Sequence, residues 1–255
     1  MDLGIRGKTA LVLGASSGIG EAVALALAAE GVKLALGARN RDQLQAAAQR
    51  AKTAGALDAR GFEGDLQDPA SIAAMLDGVR SAFGGVDIAV LNGGGPKAGR
   101  FSDVPLEDWD TAYRLLLRSM LILLDALVPA MRARKWGRVV ALTSSAVKQP
   151  IDNLVLSNAF RTALVATLRT LAVEVARDGV TVNSIATGRI ETERLRELYD
   201  DDEKMRQAGN EVPIGRIATP QEFAPMVAFL CSEPALYVTG QTISVDGGLV
   251  RGLFG

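Results

Sequence analysis

The sequence predicts an α/β fold in which a doubly wound, mostly parallel sheet of seven strands carries helices on both faces. Short apolar segments alternate with helical segments along the whole chain, and short turns join them. Repeated strand–helix units of this kind form parallel sheets, because each crossover returns the chain to the same edge. The 255 residues suffice for one well-buried core, and no linker divides them, so we expect a single domain over residues 1–255.

The first half of the chain contains four of the seven predicted strands. They are Thr9–Leu13, Lys33–Leu36, a segment that ends near Asp65, and Val86–Leu91. Gly31 ends the helix Glu21–Glu30, the helix Arg41–Ala54 follows the second strand, and Asp68-Pro69 begins a third helix with an N-cap aspartate.

The second half has longer helices and the remaining strands. The predicted helices are Leu106–Arg134, Leu154–Arg177 (ended by Gly179), and one that starts at the capping box Thr219-Pro220-Gln221-Glu222. The strands are Arg138–Thr143, Val180–Ile185 and Gln241–Val245. The irregular stretch 189–216 is rich in Glu, Arg and Asp and predicts a mobile substrate lid.

The composition excludes several classes of function. A net charge of −1 gives no electrostatic reason to expect nucleic acid or a membrane as partner, and the apolar run Leu115–Val128 is too short to span one. The first ten residues lack the apolar core of a signal peptide. With no histidine and only Cys231, which we expect to be buried, we predict a cytoplasmic protein without a metal site. Catalysis must then use hydroxyls, Lys, Arg, carboxylates or an organic cofactor.

The strongest motif is Gly14-Ala15-Ser16-Ser17-Gly18-Ile19-Gly20, between the first strand and the first helix. Glycines let the backbone approach a pyrophosphate closely, and a helix N-terminus offers free N–H groups and the positive end of its dipole. Tight turns also use glycine for other reasons, so it is the strand–turn–helix setting that indicates a dinucleotide site.

The spacing G-x-x-x-G-x-G resembles that of the short-chain dehydrogenase/reductase family, and the resemblance extends over nearly the whole chain. Asn92-Gly93-Gly94 matches the turn after the family's fourth strand, and the segment 182–188 matches its sixth-strand signature, with Thr187 in place of proline. Val245-Asp246-Gly247-Gly248 resembles its C-terminal turn. The branch that the sequence resembles most is the 3-oxoacyl-[acyl-carrier-protein] reductases, and the resemblance implies a Rossmann-type fold.

The resemblance also implies the cofactor contacts. Pyrophosphate would lie against Gly14, Ser17 and Ile19, adenine near Asp65 and Leu66, and ribose near Asn92, although a carboxylate at Asp65 equally suits a loop cap after a strand. Ile190 and Thr192 would face the nicotinamide carboxamide. The remaining expected contacts are Ser16, Gly18, Gly20, Arg39, Asn40, Gly93, Gly94, Arg161 and Gly188.

The end of the second strand indicates which cofactor is used. An acidic residue there would bind the ribose 2′-hydroxyl, but the segment Gly37-Ala38-Arg39-Asn40-Arg41 has an arginine and no carboxylate. Arginine suits a phosphate by charge and geometry, so the sequence favours NADP(H) over NAD(H). A solvated turn arginine is the alternative.

The family's catalytic positions hold unusual residues here. Its serine corresponds to Ser144, its tyrosine thirteen residues later to Ser157, and its lysine four further on to Arg161. The family's asparagine, seven residues after Trp109, corresponds to Leu116. A serine hydroxyl is shorter and far less acidic than a phenol, and arginine stays charged. Losing a general acid costs roughly 10²–10⁴-fold in rate.

Three other residues are candidates to substitute for the missing groups. Lys148 could approach a substrate oxygen near the mouth of the site, or be a solvated loop lysine. Tyr113 is better explained by packing in the helix interface. Tyr199 could swing in from the lid stretch, but a surface helix position explains it as well. We expect an NADP(H)-dependent oxidoreductase acting on a carbonyl or secondary alcohol. The alternative is a non-catalytic dinucleotide-binding regulator.

The long helices also predict self-association. The helix segment Leu115–Leu127 is apolar nearly all round, and Phe160, Leu164 and Leu168 form a second apolar stripe. The family resemblance implies pairing of these two helices across a twofold axis and a further contact through the last strand. We therefore expect a homotetramer.

Overall fold

A computed structural model of the protein describes residues 1–199 and 201–253. In this part of the chain, one seven-stranded sheet has the order β3-β2-β1-β4-β5-β6-β7, and every neighbouring pair is parallel. The strands are β1 (Thr9–Leu13), β2 (Lys33–Ala38), β3 (Asp58–Glu63), β4 (Ile88–Leu91), β5 (Gly137–Leu142), β6 (Val180–Thr187) and β7 (Thr242–Val245). The predicted doubly wound α/β fold is confirmed.

The helices connect the strands in the expected order. They are α1 (Gly18–Ala29), α2 (Arg41–Thr53), α3 (Pro69–Phe83), α4 (Leu106–Tyr113), α5 (Ser119–Ala133), α6 (Val155–Val175), α7 (Glu193–Leu198), α8 (Asp202–Glu211) and α9 (Pro220–Leu230). No helix in the described ranges is both long and apolar enough to cross a membrane.

Apolar side chains cover both faces of the sheet. Alternate residues of β1 point to opposite sides, so Val12 joins a core formed with α1, α2 and α9, while Leu11 joins one formed with α3, α5 and α6. Cys231 lies fully buried in the first core, as predicted, and burial raises the pKa of its thiol to about 12.

The predicted helix ends are confirmed in detail. Gly31, just past α1, has φ +71°, and the Asp68 carboxylate accepts a bond from the Ala70 N–H at the start of α3. The capping box at α9 is complete, because Thr219 and Glu222 each accept from the other's backbone N–H. Local polar chemistry therefore sets the ends of these helices.

Two expectations about the second half need correction. The predicted helix Leu106–Arg134 is continuous but contains a π-turn at Arg114–Arg118, between α4 and α5. The expected outer stripe of α6 is wrong for Leu164 and Leu168, which are 4% and 2% exposed and belong to the core of the protomer itself. Helical spacing alone could not show which stripe faces the sheet.

An arginine is buried at the N-terminal end of β5, inside the sheet. Arg138 is fully inaccessible and donates to the carbonyls of Gly137, Gly179 and Ser232. Its guanidinium also contacts the Glu233 carboxylate at 3.2 Å. No motif in the sequence indicated a role for this residue, and its contacts join β5 to the segment just after α9.

Candidate active-site cleft

A cleft of about 1290 Å³ opens at the carboxyl ends of the strands. The strand order reverses between β1 and β4, and ligands of open α/β sheets bind at such a switch point. The turns after β1, β2, β3 and β4 all contribute to its walls, as does the segment after β6. The fold therefore gathers residues that are far apart in sequence.

The glycine-rich turn after β1 has no room for side chains. A Cβ atom at Gly20 would lie 2.1 Å from the carbonyl oxygen of Gly14, and one at Gly14 would lie 2.7 Å from the Asn92 side-chain nitrogen. Gly14 and Gly18 also have positive φ angles of 60° and 57°. Glycine at these positions keeps the turn tight against α1 and leaves its outer surface open to the cleft.

The N-terminus of α1 offers unpaired donors to the cleft. The Ser17 side chain at the N-cap makes no capping bond, and the helix begins with the Glu21 N–H donating to the Ser17 carbonyl. Among the described residues, the N–H groups of Gly18, Ile19 and Gly20 have no acceptor. Donors at the positive end of a helix dipole fit a phosphate, so this turn suits a pyrophosphate group.

The end of β2 presents an exposed cation. Arg39 lines the cleft and has no carboxylate within 4.0 Å in residues 1–199 and 201–253. Asn40 also lines the cleft, but its side chain caps α2 by accepting from the Gln43 N–H at 3.0 Å. Arg39 is therefore placed to meet a ligand, whereas the Asn40 amide oxygen is already engaged.

Asp65 and Leu66 line the cleft after β3. The Asp65 carboxylate accepts a hydrogen bond from the Gln67 N–H at 2.9 Å, and the backbone N–H of Asp65 donates to the Ser71 hydroxyl at 2.9 Å. The loop-cap interpretation of Asp65 is thus correct, and it is compatible with a cleft wall. Asn92, Gly93 and Gly94 line the cleft after β4.

Arg161 on α6 reaches the cleft at the ends of two strands. Its guanidinium donates to the carbonyl of Leu142, the last residue of β5, at 3.0 Å and to that of Gly94 at 3.1 Å. Burial and, to a smaller extent, the positive charge of Arg194 lower the pKa of Arg161 to about 10. The group is therefore still a cation at neutral pH.

The other predicted catalytic residues do not line this cleft. The Ser144 hydroxyl accepts from the Ala146 N–H at 3.1 Å, and Ser157 is buried, one helical turn before Arg161 on the same face of α6. Lys148 is half-buried; its backbone N–H donates to the Ser145 carbonyl at 2.9 Å, and its side chain makes no hydrogen bond or ion pair within the described residues. Leu116 is buried in the π-turn, beside Gly93.

The described parts of the segment 189–216, residues 189–199 and 201–216, contain more regular structure than its composition predicts. It contains α7 and α8 and is joined to the chain before α9 by a bridge between Ile190 and Ala218. The expectation of an irregular stretch is therefore wrong, because Thr192 and Asp201 act as N-caps for these two helices. Capping polar residues were present in the sequence but were hidden by the high charge.

The start of this segment lies against two different parts of the cleft lining, at Gly18 and at Pro96. The Thr192 methyl group would lie 3.4 Å from a Cβ at Gly18, and Arg194 donates to the Pro96 carbonyl at 2.6 Å. Ile190 is instead 4% exposed and packs in the core, so its side chain does not face the cleft. Gly188 is likewise outside the lining, where a Cβ would lie 2.4 Å from the Asp246 Cα.

Several polar residues of the cleft were not expected from the sequence, among them Arg194 and Thr187. Arg194 had no motif to mark it, and only its position two residues after Thr192 pointed to it. Thr187 was noted only as a replacement for proline, yet its buried hydroxyl oxygen has no partner among the described residues and the residue lines the cleft. Such an orphaned group is costly to bury and fits a site that takes a polar ligand.

Known proteins with sequences and structures similar to this chain cover almost its full length. The family described as Enoyl-(Acyl carrier protein) reductase matches residues 14–250. The 3-oxoacyl-[acyl-carrier-protein] reductase FabG of Escherichia coli (strain K12) is 36% identical over 97% of this chain and 99% of its own length. Dehydrogenase/reductase SDR family member 4 of Bos taurus is 35% identical over 94% of this chain and 86% of its own length.

A solved structure is also similar to this chain over nearly its full length. The L-sorbose reductase of Gluconobacter frateurii, crystallised with NADPH and L-sorbose, superposes with a TM-score of 0.94 at 36% identity, covering 99% of this chain and 100% of that one. Fold, cleft and sequence therefore agree. The chain belongs to the short-chain dehydrogenase/reductase family of NAD(P)-dependent oxidoreductases.

Proposed function

We propose that the protein is an NADP(H)-dependent reductase of a carbonyl substrate, similar to the 3-oxoacyl-carrier-protein reductases but with altered acid–base groups. The observation that carries this proposal is the cleft itself. A glycine turn and a helix N-terminus form its middle, Arg39 lies after β2, and Arg161 lies where β4 and β5 end. The whole chain 1–255 acts as one domain in this proposal.

The cleft residues fit a dinucleotide phosphate, and each has a stated task. The turn Gly14–Gly20 would hold the pyrophosphate, Asp65, Leu66 and Asn92 would hold the adenosine half, and Thr192 would meet the nicotinamide end. Gly188 and Ile190 would contribute through their backbone. Bound NADPH supplies the hydride. The relative crystallised with NADPH and the arginine after β2 both support this cofactor.

Arg39 would select the phosphate-bearing cofactor. Because it is exposed and has no carboxylate partner in the described chain, its charge is available to the 2′-phosphate. Hydrogen bonds to charged groups contribute about 1.5–3 kcal/mol, so Arg39→Ala should weaken NADPH binding by roughly 10- to 100-fold and leave NADH unchanged. Fluorescence titration with both cofactors measures this, with Arg41→Ala as control. Equal losses for NADPH and NADH would remove Arg39 from the selection.

The acid–base chemistry would differ from that of the family. Arg161 donates hydrogen bonds but keeps its proton below about pH 10, so it can bind and orient a group without relaying protons. Ser157 is buried and too short to replace a phenol, and Leu116 offers no polar atom for a water relay. We therefore expect slow turnover of the relatives' substrates. Ser144 and Lys148 would contribute only after a movement toward the cleft.

The second candidate function is a dinucleotide-binding regulator without turnover. The placement of Ser144, Ser157 and Lys148 outside the cleft lining favours it. A screen of NADPH oxidation against ketones, aldehydes and 3-oxoacyl thioesters separates the two functions. Turnover above the rate without enzyme supports the reductase, and NADPH binding without any turnover supports the regulator.

The assembly and setting complete the proposal. Val173 on α6 and Tyr237 before β7 are 76% and 103% exposed, and Tyr113 at the end of α4 is 40% exposed, which supports a homotetramer that buries these surfaces. Light scattering at micromolar concentration tests it, and a monomeric mass would contradict it. The unpaired, buried Cys231 is compatible with the reducing cytoplasm. Residues 189–216 would act as the substrate lid.

A further inference from the structure

The cleft contains basic side chains with and without acidic partners. Three of its five Lys and Arg residues form ion pairs: Lys97 with Asp108 at 2.9 Å, Arg194 with Glu197 at 3.0 Å, and Arg196 with Glu191 at 2.5 Å. Within the described ranges, Arg39 and Arg161 have no carboxylate within 4.0 Å. Two charges are therefore left for ligands to neutralise.

These two cations are too far apart to share one small anion. Arg39 follows β2, whereas Arg161 bonds to the carbonyl at the end of β5, and the sheet order places β1 and β4 between them. Neighbouring strands are about 4.8 Å apart, so the strand ends near the two cations are separated by roughly 14 Å. The glycine turn, which fits the pyrophosphate, lies at the end of β1 between them. Arg161 therefore faces a different part of the ligand.

The guanidinium of Arg161 has unused donors in this position. Two of its five N–H groups go to the carbonyls of Leu142 and Gly94, and the chain offers no further acceptor among the described residues. Carbonyl oxygens orient a guanidinium but do not neutralise its charge. Arg194, which bonds to the carbonyl of Pro96, adds a second positive charge nearby and is close enough to disfavour the charge on Arg161. Arg161 has no carboxylate partner and Arg194 is neutralised only in part by Glu197, so together they favour an anion between or beside them.

We propose that Arg161 and Arg194 form a carboxylate-binding subsite, so that the substrates of this protein are oxo acids. The inference rests on the proposed reductase function and names its substrate class. A ketone group of the oxo acid would take up the hydride from NADPH and a proton from solvent, giving the hydroxy acid and NADP⁺. The carboxylate stays unchanged in the reaction and serves only to hold the substrate.

Binding to the complex with NADP⁺ tests the subsite without any turnover. Calorimetry would compare 2-oxobutanoate, 4-oxopentanoate and 5-oxohexanoate, each with its methyl ester, which has the same ketone and no charge. At least one acid should bind roughly tenfold or more tightly than its ester. Arg161→Gln should weaken that acid by roughly 10- to 100-fold with little change for the ester. Arg161→Lys should recover part of the lost affinity, because lysine restores the positive charge but not the planar, two-pronged donor geometry of a guanidinium.

Two further variants control for net charge and for the second cation. Arg177→Gln removes the same charge from an exposed position beyond α6 and should leave the binding of acid and ester unchanged. Arg194→Gln should weaken the acid less than Arg161→Gln, because its partner Glu197 already neutralises part of its charge. Thermal melting and an NADPH titration of each variant show whether the cleft stays folded.

The outcomes distinguish the subsite from the proposed function and from a cofactor contact. Equal binding of acids and esters to the wild-type complex would overturn the subsite, even if neutral ketones are reduced. So would an Arg161→Gln variant that loses NADPH affinity tenfold while keeping the preference for the acid, since Arg161 would then serve the cofactor. Preferential acid binding that depends on Arg161, without NADPH oxidation, would support the subsite and contradict the reductase function.

Discussion

The glycine turn should not accept even one methyl group at Gly20. The Cβ of an alanine would lie 2.1 Å from the Gly14 carbonyl oxygen and 2.6 Å from its carbonyl carbon, whereas real Cβ contacts essentially never fall below 3.0 Å. Both atoms belong to the backbone, so no side chain can rotate away to make room. The turn and α1 must instead separate by about 0.9 Å.

This displacement acts on both stability and cofactor affinity. Overpacking costs about 1–3 kcal/mol of unfolding free energy. The N–H groups at the start of α1 move with the turn, and losing one hydrogen bond to a charged phosphate costs about 1.5–3 kcal/mol. Gly20→Ala should therefore weaken NADPH binding by roughly 10- to 100-fold, as measured by fluorescence titration at a temperature where thermal melting shows a folded protein.

A matched variant separates this effect from the general cost of replacing glycine. Gly85 lies outside the cleft, and a Cβ there would meet only the Arg134 side chain at an ordinary 3.5 Å. Gly85→Ala should keep the wild-type affinity for NADPH and the wild-type melting temperature. Wild-type NADPH affinity in Gly20→Ala would refute the claim that this turn holds the cofactor.

Two further predictions concern stability. Arg138→Met should lower the unfolding free energy by roughly 3 kcal/mol in denaturant titrations, because it leaves buried carbonyls without donors. Glu233→Gln, at a half-exposed position, should lower it by less than about 1 kcal/mol. Equal losses in the two variants would contradict this role of Arg138. The hydrogen bond from Arg216 lowers the pKa of Glu222 from its usual 4.5 to about 2, so the ionised carboxylate stabilises the fold above pH 4.5 and this contribution is lost as the pH falls to about 2. Glu222→Gln should thus melt below wild type at neutral pH, and the gap should close between pH 4.5 and 2; a gap that is constant with pH would refute the role of the charge.

The sequence predicted the fold better than it predicted the site. Alternating segments, Gly31, Asp68 and the capping box at Thr219 report on local backbone preferences, and these can be recognised in a short stretch of residues. The cleft depends on which distant strands become neighbours, and the β1–β4 adjacency places Gly14 beside Asn92. The glycine motif indicated this middle part of the cleft because its pattern is contained in seven consecutive residues, five of which line the cleft.

The errors have the same physical origin. Leu164 and Leu168 were predicted for an outer surface, since helical periodicity identifies a stripe but not the partner that covers it. The charged stretch 189–216 hid two capped helices, and Arg194 becomes a cleft residue only through a contact with Pro96, nearly one hundred residues earlier in the chain. Long-range contacts of this kind leave no local signal.

We propose that the cleft is a reductase site in which Ser157 and Arg161 replace the tyrosine and lysine of the related enzymes. Steady-state NADPH oxidation with a 3-oxoacyl thioester tests it in wild type, Ser157→Tyr, Arg161→Lys and the double variant, each checked for folding because Ser157 is only 6% exposed. A phenol without a nearby lysine keeps a pKa near 10, and a lysine without the phenol has nothing to activate, so each single change should help little. We predict slow wild-type turnover and an increase of roughly 10²-fold in the double variant, limited by Leu116. Fast wild-type turnover that the double change abolishes would contradict the account.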